Sequence, residues 1–169
     1  MGFCTQISVP GTLYGDYKWK SSHKEQPLLD GLYIGIFDEG DDKVSFLEIE
    51  YKKGNWNWFH ESEKPCSPIA WVGVPSCDLY VGKCNDGYGD DTSGLIVSRP
   101  WKNAKTERPA KATLYFVLTK IYSDEYSDGY VVSPSEYDTT AKIFDCELSD
   151  PKEEVFAYIE MPTNYNDIF

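Results

Sequence analysis

The stretch ATLYFVLTKIY at residues 112–122 decides the fold class of this chain. β-Branched and aromatic side chains fill it, as strands prefer. In a strand, one face carries Leu114, Phe116, Leu118 and Lys120, and the other carries Thr113, Tyr115, Val117, Thr119 and Ile121. We therefore expect a central strand over Ala112–Tyr122. Because one face of an alternating strand must be covered, Leu114, Phe116 and Leu118 should be buried.

Further short strands extend from this one along the chain. The apolar run 32–37 ends in the polar turn 38–42, and the alternating run 44–51 follows it, which predicts a hairpin. Other strand patterns lie at 69–74, 130–132 and 142–146. The predicted fold class is mostly β, a β-sandwich or barrel, with at most one or two short helices.

One segment carries a helix start. Asp150-Pro151-Lys152-Glu153 combines an N-cap acid, a proline at the first helical position and an acid three residues after the cap. Val155, Phe156 and Ile159 then form an apolar stripe, which favours a short helix. The same residues also fit a strand from 155 to 159.

At 169 residues the chain fits one domain, 1–169, with a weak internal repeat between 31–75 and 113–162. Both segments begin with a Leu-Tyr strand and end with an aromatic strand closed by proline. Leu-Tyr pairs also occur at 13–14 and 79–80, so coincidence is the alternative.

The charges of the chain are unevenly distributed. The net charge is −12. Residues 124–169, which we call the acidic third, carry twelve acids against two lysines, whereas residues 1–123 carry sixteen acids and fourteen bases. Charge segregation bears on partners more than on fold. The acidic candidates for partner binding are Asp124, Glu125, Asp128, Glu136, Asp138, Glu153 and Glu154.

Part of the chain resembles a small domain of unknown function that is common in phages and prophages. The residues concerned are Ile7-Ser8-Val9, Pro27 with Asp30-Gly31-Leu32-Tyr33-Ile34, and Trp71 with Pro75. That family opens with W-I-S-V, has a P-x-x-G strand and closes with W-x-P-L-P, whereas Gln6 replaces the opening Trp here. The resemblance covers residues 6–75, implies an origin in a phage or mobile element and supplies no catalytic residue.

In one stretch of the chain, the basic segment, a lysine or arginine recurs at every third position. Its members are Arg99, Lys102, Lys105, Arg108 and Lys111, with Trp101 among them. In an extended polyproline-like segment these cations would share one face and could grip phosphates while Trp101 stacks on a base. The alternatives are a solvated loop or an internal partner for the acidic third, and the net charge opposes direct nucleic-acid binding.

The aromatic residues suggest a different class of function. Alternation in 56–60 puts Trp56, Trp58 and His60 on one strand face, where they could form a platform on which sugars stack. The alternative is that the tryptophans belong to the core, and we expect at least one of the two to be buried.

No catalytic or metal-binding motif stands out. The five cysteines lack the C-x-x-C spacing of zinc sites, so reduced thiols are expected, with a disulfide among Cys66, Cys77 and Cys84 as the alternative. The 85–91 loop offers oxygen ligands for calcium but lacks the EF-hand order. We expect no enzyme activity and no cofactor.

These patterns predict an acidic binding protein that does not associate with a membrane. The leading hypothesis is an inhibitor or anti-defence protein of phage or mobile-element origin that blocks a basic surface on a nucleic-acid-handling partner. A carbohydrate-binding module and a virion structural protein are the alternatives. The expected location is the cytoplasm of a host cell, with the virion and secretion as alternatives, and the sequence leaves the oligomeric state open.

Overall fold

The computed structural model describes residues 3–57, 67–83, 95–121, 130–148 and 153–168. Strands dominate it, every pairing is antiparallel, and the helical segments in the described residues are short 3₁₀ turns. The predicted mostly-β class is therefore confirmed. The chain divides into two compact units: the N-unit is Gly11–Ser76 with Pro162–Phe169, and the C-unit is Cys77–Met161 with Met1–Pro10. The prediction of a single domain over 1–169 stays a prediction.

The N-unit is built on one five-stranded sheet. Its strands are β2 (Lys20–Ser21), β3 (Gly31–Gly40), β4 (Lys43–Lys52), β5 (Asn55–Asn57) and β6 (Ala70–Gly73), in the order β2-β6-β3-β4-β5. The predicted hairpin is β3–β4, and its turn uses positive φ angles at Gly40, Asp41 and Asp42. A 3₁₀ helix, Asn164–Asp167, joins this unit through Asn164, which exchanges hydrogen bonds with the backbone of Trp19.

The C-unit contains two sheets and the 3₁₀ helix Asp145–Leu148. The smaller sheet has the order β1-β7-β8, from β1 (Phe3–Val9), β7 (Cys77–Lys83) and β8 (Ile96–Val97). The strands of the larger sheet are β9 (Lys102–Asn103), β10 (Leu114–Ile121), β11 (Tyr130–Asp138), β12 (Ile143–Phe144) and β13 (Glu153–Glu160). Their order across the sheet is β9-β13-β10-β11-β12.

β10 is the central strand that the stretch at 112–122 predicts. It pairs with β11 on one side and β13 on the other. Phe116 and Leu118 are fully buried as expected, and Leu114 is partly buried. Tyr115 and Val117 on the opposite face are buried as well, so both faces of this strand are covered.

The helix favoured over Val155–Ile159 is wrong, because these residues lie in strand β13. A β-bulge explains the misleading pattern: the pairing with β10 shifts between Leu118 and Thr119, so Leu118 faces Ala157 while Thr119 faces Val155. The extra residue reverses the alternation of side chains across the bulge. Val155 and Tyr158 consequently enter one core cluster although they are three residues apart, which is the spacing of a helix.

The two five-stranded sheets have the same strand order and the same connections. In chain order, β2 to β6 of the N-unit correspond to β9 to β13 of the C-unit. The register agrees too: Tyr33 faces Ile49 and Gly73, and Tyr115 faces Ser135 and Glu160. Lys20 faces Trp71 as Lys102 faces Tyr158. The predicted repeat between 31–75 and 113–162 uses this same alignment, and common ancestry of the two units stays a proposal.

Each unit packs its sheet around an equivalent tyrosine. The ring of Tyr33 makes edge-to-face contacts with Tyr51, Trp56 and Trp71 at centroid distances of 5.4–6.4 Å. The ring of Tyr115 makes them with Tyr137, Phe144 and Tyr158 at 5.7–6.4 Å. Each tyrosine hydroxyl donates to the carbonyl four residues earlier, Leu29 at 2.6 Å and Lys111 at 3.0 Å.

Candidate functional site

Two cations of the basic segment are committed to ion pairs inside the C-unit. Lys105 Nζ lies 2.5 Å from Glu154 Oε1 and above the ring of Phe156. Arg108 Nη1 lies 3.0 Å from both carboxylate oxygens of Glu147 and above the ring of Phe144. Glu147 also accepts a hydrogen bond from the backbone N–H of Phe144. These contacts support the alternative in which the basic segment partners the acidic third.

The predicted nucleic-acid strip does not form as an extended row. Trp101 is 3% exposed, so its ring cannot stack on a base in this structure. The backbone turns at Asn103, whose carbonyl accepts the N–H groups of Thr106 and Glu107, and this turn breaks the threefold alignment. Arg99, Lys102 and Lys111 remain exposed.

The four described acidic candidates occupy three different environments. Glu154 is held by Lys105. Burial raises the pKa of the half-buried Glu153, and a hydrogen bond with Cys146 opposes that effect. Glu136 and Asp138 are exposed on β11, where Asp138 Oδ1 also accepts the N–H groups of Thr140 and Ala141. In the part of the chain that the structure describes, no ion pair holds either β11 carboxylate.

An open groove of about 600 Å³ runs beside these ion pairs in the C-unit. Its charged lining residues are Lys105, Arg108, Lys142, Glu147, Glu153 and Glu154. Both signs of charge are present in equal number, so the groove does not present a surface of one sign. The exposed β11 acids, rather than this groove, are the described partner-binding candidates that can face a cationic partner.

Trp56 is not available for the predicted sugar platform. Trp56 is 6% exposed and packs edge-on against Tyr33 and Tyr51, because β5 places it on the core face of the sheet. Its indole N–H donates to Gln26 Oε1 at 3.2 Å. The expectation that at least one of the two tryptophans is buried is therefore confirmed, whereas Trp58 and His60 lie outside the described residues.

Several other predicted sites lie in segments that the structure does not describe. They are the acids Asp124, Glu125 and Asp128, the calcium loop at 85–91 and two of the three disulfide candidates, Cys66 and Cys84. The third, Cys77, is a buried free thiol. Among the residues that are described, no three His, Cys, Asp or Glu side chains cluster as metal ligands.

The N-unit contains a pocket that the sequence patterns did not indicate. Its volume is about 150 Å³, and it is lined by Thr12, Leu13, Tyr14, Asp16, Lys18, Lys20, Glu25, Gln26, Leu28, Tyr33, Trp71 and Gly73. The buried rings of Tyr33 and Trp71 belong to its lining, as do two of the most exposed apolar side chains of the N-unit, Tyr14 at 62% and Leu28 at 78%. These residues are far apart in the sequence, so no local motif could reveal them.

Segment 12–14 forms one wall of this pocket. The N–H groups of Thr12 and Leu13 donate to the carbonyl of Val74, and the Thr12 hydroxyl donates to the carbonyl of Leu32 at 2.6 Å. Glycine allows this close crossing, because a Cβ at Gly73 would lie 2.7 Å from the Thr12 carbonyl oxygen. The equivalent position in the C-unit is Glu160, so the two units differ at this point.

Charged side chains surround the same pocket. Lys18 pairs with Asp16 and Lys20 with Glu25, each at 3.9 Å, and Lys20 Nζ lies 5.2 Å from the ring centroid of Trp71. The side chains of Lys18 and Asp16 are exposed, and exposed ion pairs of this length contribute little to stability. These two side chains can therefore exchange their partners at small cost.

The chain matches no protein-family model, no curated protein and no solved structure. In the residues that the structure describes, no helix has the length and apolar character needed to cross a membrane.

Proposed function

We propose that this protein is an acidic binding protein of the inhibitor or anti-defence type, which occupies a basic surface on a nucleic-acid-handling partner. The observation that carries the proposal is the net charge of −12 together with its concentration in the last third of the chain. A carboxylate-rich surface on a rigid sheet can take the place of nucleic-acid phosphates in a basic groove. Such complementarity also accelerates encounter between the two proteins.

The described structure supports this proposal in the C-unit. The β11 carboxylates Glu136 and Asp138 project from a strand that is fixed by pairing with the buried β10, so they are held on a firm support. Two cations of the basic segment are engaged with other acids, Lys105 with Glu154 and Arg108 with Glu147. An origin in a phage or mobile element is part of the proposal and rests on the resemblance of residues 6–75.

Affinity capture from host cells tests the proposal. The immobilised protein should retain a nucleic-acid-binding protein at low salt and release it as the salt concentration rises, because screening weakens contacts between exposed charges. The matched variant carries Glu136→Gln and Asp138→Asn, which remove two charges and keep size and polarity, and it should capture less. Addition of the wild-type protein should also displace nucleic acid from the purified partner. A captured partner that keeps its nucleic acid would refute the proposal.

A further inference from the structure

We propose that the outer edge of strand β1 (Phe3–Val9) pairs with β1 of a second copy of this chain, so that the small sheets of two C-units become one continuous sheet. β1 lies at the end of the sheet β1-β7-β8 and pairs with β7 at all seven of its positions. In the residues that the structure describes, no strand pairs with its other side. The outward N–H and C=O groups of β1 therefore form a template for one more strand.

β1 differs from the other edge strands that the structure describes. These are β2, β5, β8, β9 and β12, and each is two or three residues long. Proteins prevent pairing between sheet edges by keeping edge strands short or by placing charges, prolines or bulges in them. β1 has seven residues, no charged residue and no proline, and its register with β7 runs without a bulge. Among the described edges, that of β1 alone lacks all of these devices.

The charge at this edge favours a second copy as the occupant over the basic partner of the acidic third. β1 is uncharged, and β7 beside it carries one acid and one lysine, Asp78 and Lys83. A basic surface gains little from an uncharged strand. Repulsion between two copies of the chain is smallest where the surfaces that meet are neutral. The uncharged strand β1 of another copy therefore suits this edge.

The strand is also complementary to itself. Gln6 is the middle residue of β1, so an antiparallel pair about a twofold axis at Gln6 joins all seven residues of both copies over about 24 Å. The half-buried Ile7 and Val9 stay on one face of the joined sheet, and the exposed Gln6 and Ser8 stay on the other. Because one pair of strands is a small interface, the expected Kd of dimerisation is on the order of 10 to 100 μM.

Sedimentation equilibrium of the full chain tests this proposal. We expect a monomer–dimer equilibrium that shifts toward the dimer between roughly 50 and 300 mM salt, because screening weakens the repulsion between two chains of net charge −12. The complex with a basic partner has the opposite salt dependence, so the dimer and the proposed function can fail separately. A chain that stays monomeric at about 1 mM would overturn the proposal.

Substitutions at Gln6 locate the contact. Gln6→Lys brings two ammonium groups opposite each other and should weaken the dimer by about three- to tenfold. Asn55→Lys is the matched control, since it places the same charge at an exposed amide on the edge strand β5 and should leave the Kd unchanged. An equimolar mixture of Gln6→Lys and Gln6→Glu should restore the dimer, because opposite charges then face each other. Equal Kd values for Gln6→Lys and Asn55→Lys, or a mixture that associates no better than Gln6→Lys alone, would contradict the proposal.

Discussion

At the scale of single residues, Tyr33 and Tyr115 occupy equivalent positions and make equivalent contacts. Each ring is surrounded by three aromatic neighbours, and each hydroxyl donates to the carbonyl four residues earlier. Burial raises the pKa of both hydroxyls. The two residues therefore serve as matched probes of the two units.

Tyr33→Phe and Tyr115→Phe should each lower the free energy of unfolding by about 1 kcal/mol, the usual net value of one hydrogen bond. The rings stay in place, so the packing of the two clusters is retained. Urea denaturation of both variants measures the effect. A loss in one variant and none in the other would show that the two hydroxyls differ in role despite their matching geometry.

Two cysteines provide a second residue-scale prediction. Burial raises the pKa of Cys77 to about 12 and of Cys146 to about 11, while hydrogen bonds with Ser98 and Ser135 oppose the effect. Since the thiolate is the reactive form, both thiols should react with disulfide reagents at about pH 8 at least tenfold more slowly than in the unfolded chain. Peptide-resolved mass spectrometry measures the two rates. Full reactivity of Cys77 in the folded protein would contradict its burial.

The same shifts set the direction of the pH dependence at alkaline pH. Both folded-state pKa values lie above the ordinary value of 9.0, so the thiols contribute stability that is fully present below about pH 9. That contribution is lost as the pH rises toward 11–12. Serine at both positions should flatten this part of the stability curve.

At the scale of the elements, the basic segment before β10 is joined to the acids near β13 by two ion pairs. The side chains of Arg108 and Glu147 are 32% and 13% exposed, which lies between surface and interior. A double-mutant cycle with Arg108→Ala and Glu147→Ala should give a coupling energy of about 1 kcal/mol. The coupling should shrink in about 1 M salt because of screening.

The Lys105–Glu154 pair provides the comparison for that cycle. It has a single carboxylate contact instead of two, and its coupling should therefore be the smaller one. A vanishing coupling for Arg108 and Glu147 would mean that this segment does not hold the acids, and the intramolecular role would have to be abandoned.

Elements also show where sequence patterns succeed and where they fail. The strand at 112–122 follows from its β-branched and aromatic composition, and the hairpin at 32–51 from an apolar run, a polar turn and an alternating strand. A helix was favoured over the strand β13 because a bulge breaks the alternation of the strand at Phe156. The threefold repeat of cations from Arg99 failed as a strip because the chain turns at Asn103.

At the scale of the whole molecule, charge that is segregated in the sequence is less segregated in space. Residues 99–111 supply cations to Glu147 and Glu154, so part of the acidic third is neutralised inside the C-unit. The pocket of the N-unit joins residues from 12 to 73, and no pattern of spacing predicts it. Fold class was thus accessible from local strand patterns, and Glu136 and Asp138 from the distribution of charge, whereas the ion pairs and the pocket depend on contacts between distant segments.

If the acidic residues attract a partner, their replacement should change partner binding but not the stability of the fold. Replacing Asp124, Glu125 and Asp128 with Asn, Gln and Asn removes three charges at similar size and polarity. We expect slower association with the captured partner and a melting temperature that stays within a few degrees. Calorimetry and association kinetics on the same samples compare the two effects.

The most direct test of the central claim is the association rate of the captured partner as a function of salt concentration. If the acidic third attracts a basic surface, the rate should fall about tenfold or more between roughly 50 and 300 mM salt, with a smaller change in the dissociation rate. The variant at 124, 125 and 128 should show a weaker salt dependence. A rate indifferent to salt, or a complex centred on residues 1–60, would contradict the claim and show that the charge asymmetry serves solubility.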